Sequence, residues 1–287
     1  MATDRANQQI RLIDGRTLGY AEYGNPNGKP IFYFHGFPGS RLDWNFSDPD
    51  DIATQLNDRI IAIDRPGMGL SDFKQKREIL DWPDDVVELA NKLELDRFAV
   101  LGISGGGPYA AACAYKIPER LVATAIVSGM GPKEAPNAKD GTSWTIPGKS
   151  FLMRKMLLML FNLGLRKNPD KFVTRSKAQF PEPDRKLLDK PEMVKVYIEM
   201  LQEAFRQGTS GAYHEAELYT RSWNFRLQEI TGKVHLWHGE LDVNVPISVG
   251  RYVADIIPDC ESVFLEDEAH LSLPFRHIRQ ILSTLTG

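Results

Sequence analysis

The stretch that most constrains this chain is Arg97–Ala112, RFAVLGISGGGPYAAA. Phe98-Ala99-Val100-Leu101 is a short apolar run of the kind that forms a buried strand. It breaks into Gly102-Ile103-Ser104-Gly105-Gly106, and Pro108-Tyr109-Ala110-Ala111-Ala112 then opens a helix. G-x-S-x-G between a strand and a helix is a turn so tight that only small residues fit beside the serine, which leaves its hydroxyl above the sheet edge. The helix start behind it offers free N–H groups and the positive end of a dipole to a developing oxyanion. The competing reading is a glycine-rich turn whose serine only caps the helix.

The 287 residues suffice for one large α/β domain with an insertion, or for two small domains. A net charge of −3 gives no basic footprint, so no nucleic acid partner is expected. Two cysteines, Cys113 and Cys260, are too few for a disulfide framework. The N-terminus MATDRANQQI is polar and lacks the apolar core of a secretory leader. The most apolar stretch, Met156–Leu165, is too short to span a bilayer and is bracketed by Arg154, Lys155, Arg166 and Lys167. These features lead to the expectation of a cytoplasmic protein with no membrane partner.

Along the chain, Gln9–Ile13 and Thr17–Tyr23 read as a hairpin about Asp14-Gly15. Pro30–Phe34, Arg59–Ile63, Phe98–Leu101 and Leu121–Val127 read as strands, with helices expected over Leu42–Leu56 (interrupted early by the acidic Ser47–Asp51 turn), over Leu80–Leu93 and after the serine turn. This alternation predicts an α/β fold, a mostly parallel central sheet with helices on both faces. From Pro132 to Leu227 the rhythm stops, and helical segments follow: Lys149–Leu165, Pro169–Gln179, Asp184–Leu188 and Pro191–Gln207. The expected organisation is therefore a core in two parts, 1–131 and 228–287, interrupted by an all-helical insertion over 132–227. Five of the eight methionines lie between 153 and 200, a stripe expected mostly to pack helix on helix, with some members facing a cleft. The rhythm resumes at Lys233–Trp237 and Ser262–Leu265, with helices from about Pro246 and from Pro274 to Leu285.

Every loop that carries reactive side chains follows an expected strand, and in open α/β sheets ligands bind at the strands' carboxyl ends. A serine needs a base to take its proton, and the base needs an acid to fix its tautomer. His270 follows the last strand and Asp242 the one before it, so the order is Ser104, Asp242, His270. On spacing alone Glu240, Glu266 or Asp267 could stand in for Asp242, Asp242 could merely start a helix, and His270 could merely cap one. The oxyanion pocket needs two backbone N–H groups, expected from Gly105 and from Phe37 in the loop after Pro30–Phe34. His35 is expected to tie that loop down. His235 and His238 face opposite sides of a strand, and His214, beside Glu215, lacks a second ligand at useful spacing. No metal and no cofactor are expected.

HGFPGS, DRPGMGLS, GISGGG, HGELDVNVP and EAHLSLP, in that order between residues 35 and 274, resemble the α/β-hydrolase fold superfamily, the branch with a helical cap. The likeness extends to bacterial and fungal members described only as α/β hydrolases. It implies Ser104 as nucleophile, His270 as base, Asp242 as orienting acid, and Phe37 and Gly105 as oxyanion donors. Dehalogenases and epoxide hydrolases of that branch carry an aspartate nucleophile, where this chain has Ser104.

The expected function is a serine hydrolase of carboxylic esters working through an acyl-enzyme on a small or medium apolar molecule, with Phe37, Ile103 and Met130 as substrate contacts. The alternatives are a ligand receptor or signalling protein with incidental turnover, and a specialised C–C bond hydrolase or cofactor-free oxygen chemistry. Gly105-Gly106-Gly107-Pro108-Tyr109-Ala110 fits a nucleotide-binding G-x-G-x-x-A, but it follows a serine instead of ending a strand, and the next strand lacks the ribose-binding acid. The spacing leaves the oligomeric state open.

Overall fold

The computed structural model describes residues 4–48, 51–141 and 149–287. Eight strands form one sheet in the order β1-β2-β4-β3-β5-β6-β7-β8: β1 (Gln8–Arg11), β2 (Thr17–Gly24), β3 (Lys29–Phe34), β4 (Asp58–Ile63), β5 (Phe98–Ile103), β6 (Leu121–Val127), β7 (Val234–Gly239) and β8 (Cys260–Leu265). The β1–β2 ribbon pairs antiparallel and joins β4 antiparallel. All remaining pairs are parallel. The register aligns Phe34 with both Ile63 and Gly102, and Ile103 with Val127, so the carboxyl ends of the central strands share one edge.

The central strands are near-continuous apolar runs, broken only by residues such as Lys29, Asp58, Arg59 and Thr124, because both faces are covered. Phe32, Phe34, Phe98 and Val100 pack on one side against α3 (Trp82–Lys92), α4 (Gly107–Lys116) and α10 (Ile247–Ile256). Their sequence neighbours Ile31, Tyr33, Ala99 and Leu101 face α11 (Ser272–Thr286), where Ile278, Ile281 and Leu282 close the opposite layer. That division is the period-two alternation of a strand turned into two cores.

The expected helix over Leu42–Leu56 is two single turns, α1 (Trp44–Ser47) and α2 (Ile52–Gln55), one on each side of the interruption expected at Ser47–Asp51. Asp48 ends the first and caps the second, its carboxylate taking the Ile52 and Ala53 N–H groups at 2.7 and 2.9 Å. Among the described residues five α-helices lie between β6 and β7: α5 (Phe151–Lys167), α6 (Pro169–Lys177), α7 (Glu182–Leu187), α8 (Pro191–Ala204) and α9 (Ser210–Leu218). They share a core of Leu158, Leu165, Val173, Met193, Leu201 and Phe205, which also takes in Phe46 and Met68 from the sheet domain. The methionine stripe divides: Met193 and Met200 are buried, whereas Met153, Met156 and Met159 stand exposed on α5. Helix α9 has no counterpart in the pattern reading. Among the described residues no helix is long and apolar enough to cross a membrane.

Candidate active site

Ser104 sits where β5 turns into α4, with φ of +54°. A side chain in that left-handed conformation costs about 1–3 kcal/mol and persists only where packing dictates it. The flanking glycines supply the packing. A Cβ on Gly102 would stand 2.4 Å from Gly106 O, and one on Gly106 would stand 2.1 Å from Phe34 O. No side chain fits either position, so the motif is a steric requirement. A Cβ on Gly107 would likewise stand 2.9 Å from the Gly129 Cα.

His270 Nε2 lies 2.9 Å from Ser104 Oγ, and His270 Nδ1 lies 2.8 Å from Asp242 Oδ2. The acid's other oxygen accepts the Asn244 and Val245 N–H groups, both at 2.8 Å. The geometry thus separates Asp242 from its rivals: Glu240 pairs with Arg251 on the surface, and Glu266 and Asp267 are exposed. Burial favours neutral His270, yet the Asp242 carboxylate outweighs it and raises its pKa above the ordinary 6.5. His238 lies beneath this turn, donating from Nε2 to Val245 O at 2.9 Å, while His235 stands apart beside Glu261.

The loop after β3 faces the serine. A Cβ on Gly36 would be 3.6 Å from Ser104 Cβ, and one on Gly105 would be 3.2 Å from Phe37 N. The backbones carrying the two expected oxyanion donors are therefore adjacent, and neither the Phe37 nor the Gly105 N–H has a partner among the described residues. His35 is fixed in its neutral form, Nδ1–H donating to Gly36 O at 2.8 Å and Nε2 accepting the Arg65 N–H at 3.1 Å. Burial and the Arg65 charge hold its pKa well below 6.5.

Ser104 and His270 open onto a cavity of about 360 Å³, the size of a small-molecule site. Phe37, Phe46, Ile103, Phe161, Phe180 and Met200 give it an apolar wall; Asp43, Ser47, Gln179 and Asn244 add polar points. Two of the three expected substrate contacts, Phe37 and Ile103, are on that wall. Met130 is not: its side chain is buried between sheet and helices, and its N–H donates to Ser104 O at 2.9 Å, bracing the serine turn from behind.

Four residues of the site escaped the pattern reading. Asp43 accepts the Gly36 and Ser40 N–H groups, each at 3.0 Å, and burial pushes its pKa up to about 7. Asp184 of α7 accepts the Leu271 and Ser272 N–H groups at 3.0 and 2.8 Å, holding the loop that carries His270. Glu215 and Tyr219, on and just after α9, reach the backbone of the serine turn and the β3 loop through buried hydrogen bonds. The only local hints were Gly39, whose Cβ would collide with Asp43 Oδ2 at 2.5 Å, and the acidic residue beside His214.

A family model for the alpha/beta hydrolase fold matches residues 29–276. A curated relative, the dihydrolipoyllysine-residue acetyltransferase component of an acetoin cleaving system from Pseudomonas putida, is 28% identical over 150 residues, 52% of this chain and 40% of that protein. The chain thus spans well under two thirds of that relative's length. A solved hydrolase from Pseudomonas aeruginosa PA01 superposes over 100% of both chains with a TM-score of 0.72 at 20% identity. The esterase RhEst1 from Rhodococcus sp. ECU1013 does so with a TM-score of 0.71 at 18% identity, over 98% of this chain and 99% of its own. At such identities the likeness to the solved structures concerns the fold alone.

Proposed function

Because the chain belongs to the alpha/beta hydrolase fold family, we propose that it is a serine hydrolase in which Ser104, His270 and Asp242 act as a triad on small or medium apolar carboxylic esters. The observation that carries this reading is the unbroken relay from Asp242 Oδ2 through both ring nitrogens of His270 to Ser104 Oγ, at 2.8 and 2.9 Å, opening on an apolar cavity. Ser104 attacks the ester carbonyl while His270 takes its proton, and the oxyanion settles against the Phe37 and Gly105 N–H groups. His270 then protonates the leaving alcohol. Water, deprotonated by the same nitrogen, releases the acyl group from Ser104. In this reading residues 132–227 are a helical cap that supplies Phe161, Phe180 and Met200 to the substrate's apolar side. The name of the structurally similar esterase agrees with it.

A p-nitrophenyl ester series of increasing acyl length, run with wild type beside Ser104→Ala, tests the proposal. Turnover in the usual enzyme range of about 1–10³ per second, abolished by the substitution, supports it. Wild-type turnover no faster than the variant on every ester would overturn it.

A further inference from the structure

We propose that Arg65 is a positioning residue for the oxyanion pocket and that Glu215 of α9, 150 residues away in the chain, holds it in that role. The inference rests on the hydrolase reading above and concerns the peptide that would carry one oxyanion donor.

The Phe37 N–H belongs to the Gly36–Phe37 peptide, a planar unit whose carbonyl oxygen is Gly36 O. Two donors converge on that oxygen, Arg65 Nη2 and His35 Nδ1, each at 2.8 Å. With the oxygen fixed, the direction of the Phe37 N–H is fixed too. A guanidinium on the carbonyl also polarises the amide and strengthens its N–H as a donor. Two further donors of Arg65 serve the same loop: Nη1 donates to His35 O, and the backbone N–H donates to His35 Nε2.

Arg65 is wholly buried, so its charge needs a partner, and Glu215, equally buried, accepts its Nε–H at 2.7 Å. Glu215 also takes Arg77, whose other nitrogen donates to the Tyr109 hydroxyl at 2.7 Å. Two guanidiniums share one carboxylate, so the trio of Arg65, Arg77 and Glu215 carries a net positive charge, the sign that favours an oxyanion. The same carboxylate reaches the second donor's turn. Tyr219 Oη lies 2.7 Å from Glu215 Oε1 and 2.9 Å from Gly105 O, so its one proton is shared between them. Backbone contact seats α9 for this task, since a Cβ on Gly211 would stand 2.1 Å from Gly67 O in the loop that carries Arg65. The inserted helices thus reach the chemistry through a buried ion network as well as through the cavity wall.

Two substitutions test the role, Arg65→Lys, which keeps a charge but loses the fork, and Glu215→Gln, which keeps the shape and loses the charge. Melting temperature, kcat and KM on the best ester, and inhibition by an alkylboronic acid and by the carboxylic acid product are measured for each. The boronate forms a tetrahedral anion on serine, whereas the product occupies the site without one. Deleting a whole oxyanion donor costs roughly 10²–10³ in kcat, so a misaligned one is expected to cost about 10–100-fold, with KM within about threefold. Boronate affinity should fall in step with kcat while product affinity holds. If Arg65→Lys does not fold, Glu215→Gln alone decides the matter. Folded variants with wild-type kcat, or with the whole change in KM and product affinity, would overturn the positioning role while leaving the hydrolase reading standing. A wild type no faster than Ser104→Ala on every ester overturns both.

Discussion

The loops after β3 and β8 leave the same edge of the sheet, and each carries a buried histidine with both ring nitrogens engaged. The two imidazoles nevertheless lean opposite ways. His35 meets a carbonyl and an N–H with the Arg65 charge nearby, and its pKa lies well below 6.5. His270 suffers the same desolvation, but Asp242 stands against Nδ1 and its pKa is raised. Burial alone therefore does not make a histidine a base; the charge of the group on its far nitrogen decides. The largest expected effect follows from that contrast. His270→Ala should lower kcat/KM by about 10⁶-fold, as when a catalytic histidine is lost from a hydrolase triad. His35→Gln, which can still span from a carbonyl to an N–H, should lower it by only about tenfold. Steady-state kinetics on one ester compares them, and equal losses would mean that the β3 loop holds a reacting group after all.

The same contrast explains what the sequence disclosed. Ser104, Asp242, His270, Phe37 and Gly105 were legible because each sits in a short loop after an expected strand; around Ser104 and Phe37 the glycine spacing also records a steric requirement of the backbone, whereas Asp242 and His270 stood out by their order in the chain. The groups that hold those loops were not legible. Asp184 reaches Ser272 across 88 residues, and Tyr219 reaches Gly105 across 114. Such contacts leave no local trace. Helix α9 was missed because it is buried on most of its circumference, with Glu215 and His214 inside, so it has no polar face to set a period. The methionines of α5 misled in the other direction, as apolar residues at helical spacing that end up exposed. Periodicity reports which residues share a face, and only the tertiary structure says what that face meets.

Asp242→Asn sharpens the comparison by taking from His270 the charge that distinguishes it from His35. The expected loss in kcat is about 10⁴-fold, because an amide can favour the wrong imidazole tautomer. The pH profile should move as well. In the proposed triad His270 works as a base only when neutral, so wild-type kcat/KM should rise with pH through a value above 6.5. With that carboxylate gone and burial opposed only by the Asp184 charge, that limb should shift to lower pH. A limb that stays in place in Asp242→Asn would assign it to another group, Asp43 being the buried alternative in the cavity wall.

The smallest effect separates the two histidines by stability instead of rate. His35 has a lowered pKa in the folded protein, so below about 6.5 the unfolded chain binds a proton that the native state refuses. Its share of stability is present above that pH and lost as pH falls. His270 has the opposite sign: its raised pKa gives a contribution that is complete below 6.5 and lost as pH rises through the folded value. Thermal unfolding followed from pH 8 to pH 5 should therefore show His35→Gln losing less stability on acidification than wild type. His270→Gln should lose more, because the proton that stabilised its parent at low pH is gone. Differences of a few degrees are expected for a chain of this size, and contributions common to all three proteins cancel between the curves. Parallel curves would mean that the two imidazoles do not differ in proton affinity, and the distinction between a histidine that holds a loop and one that moves a proton would then rest on position alone.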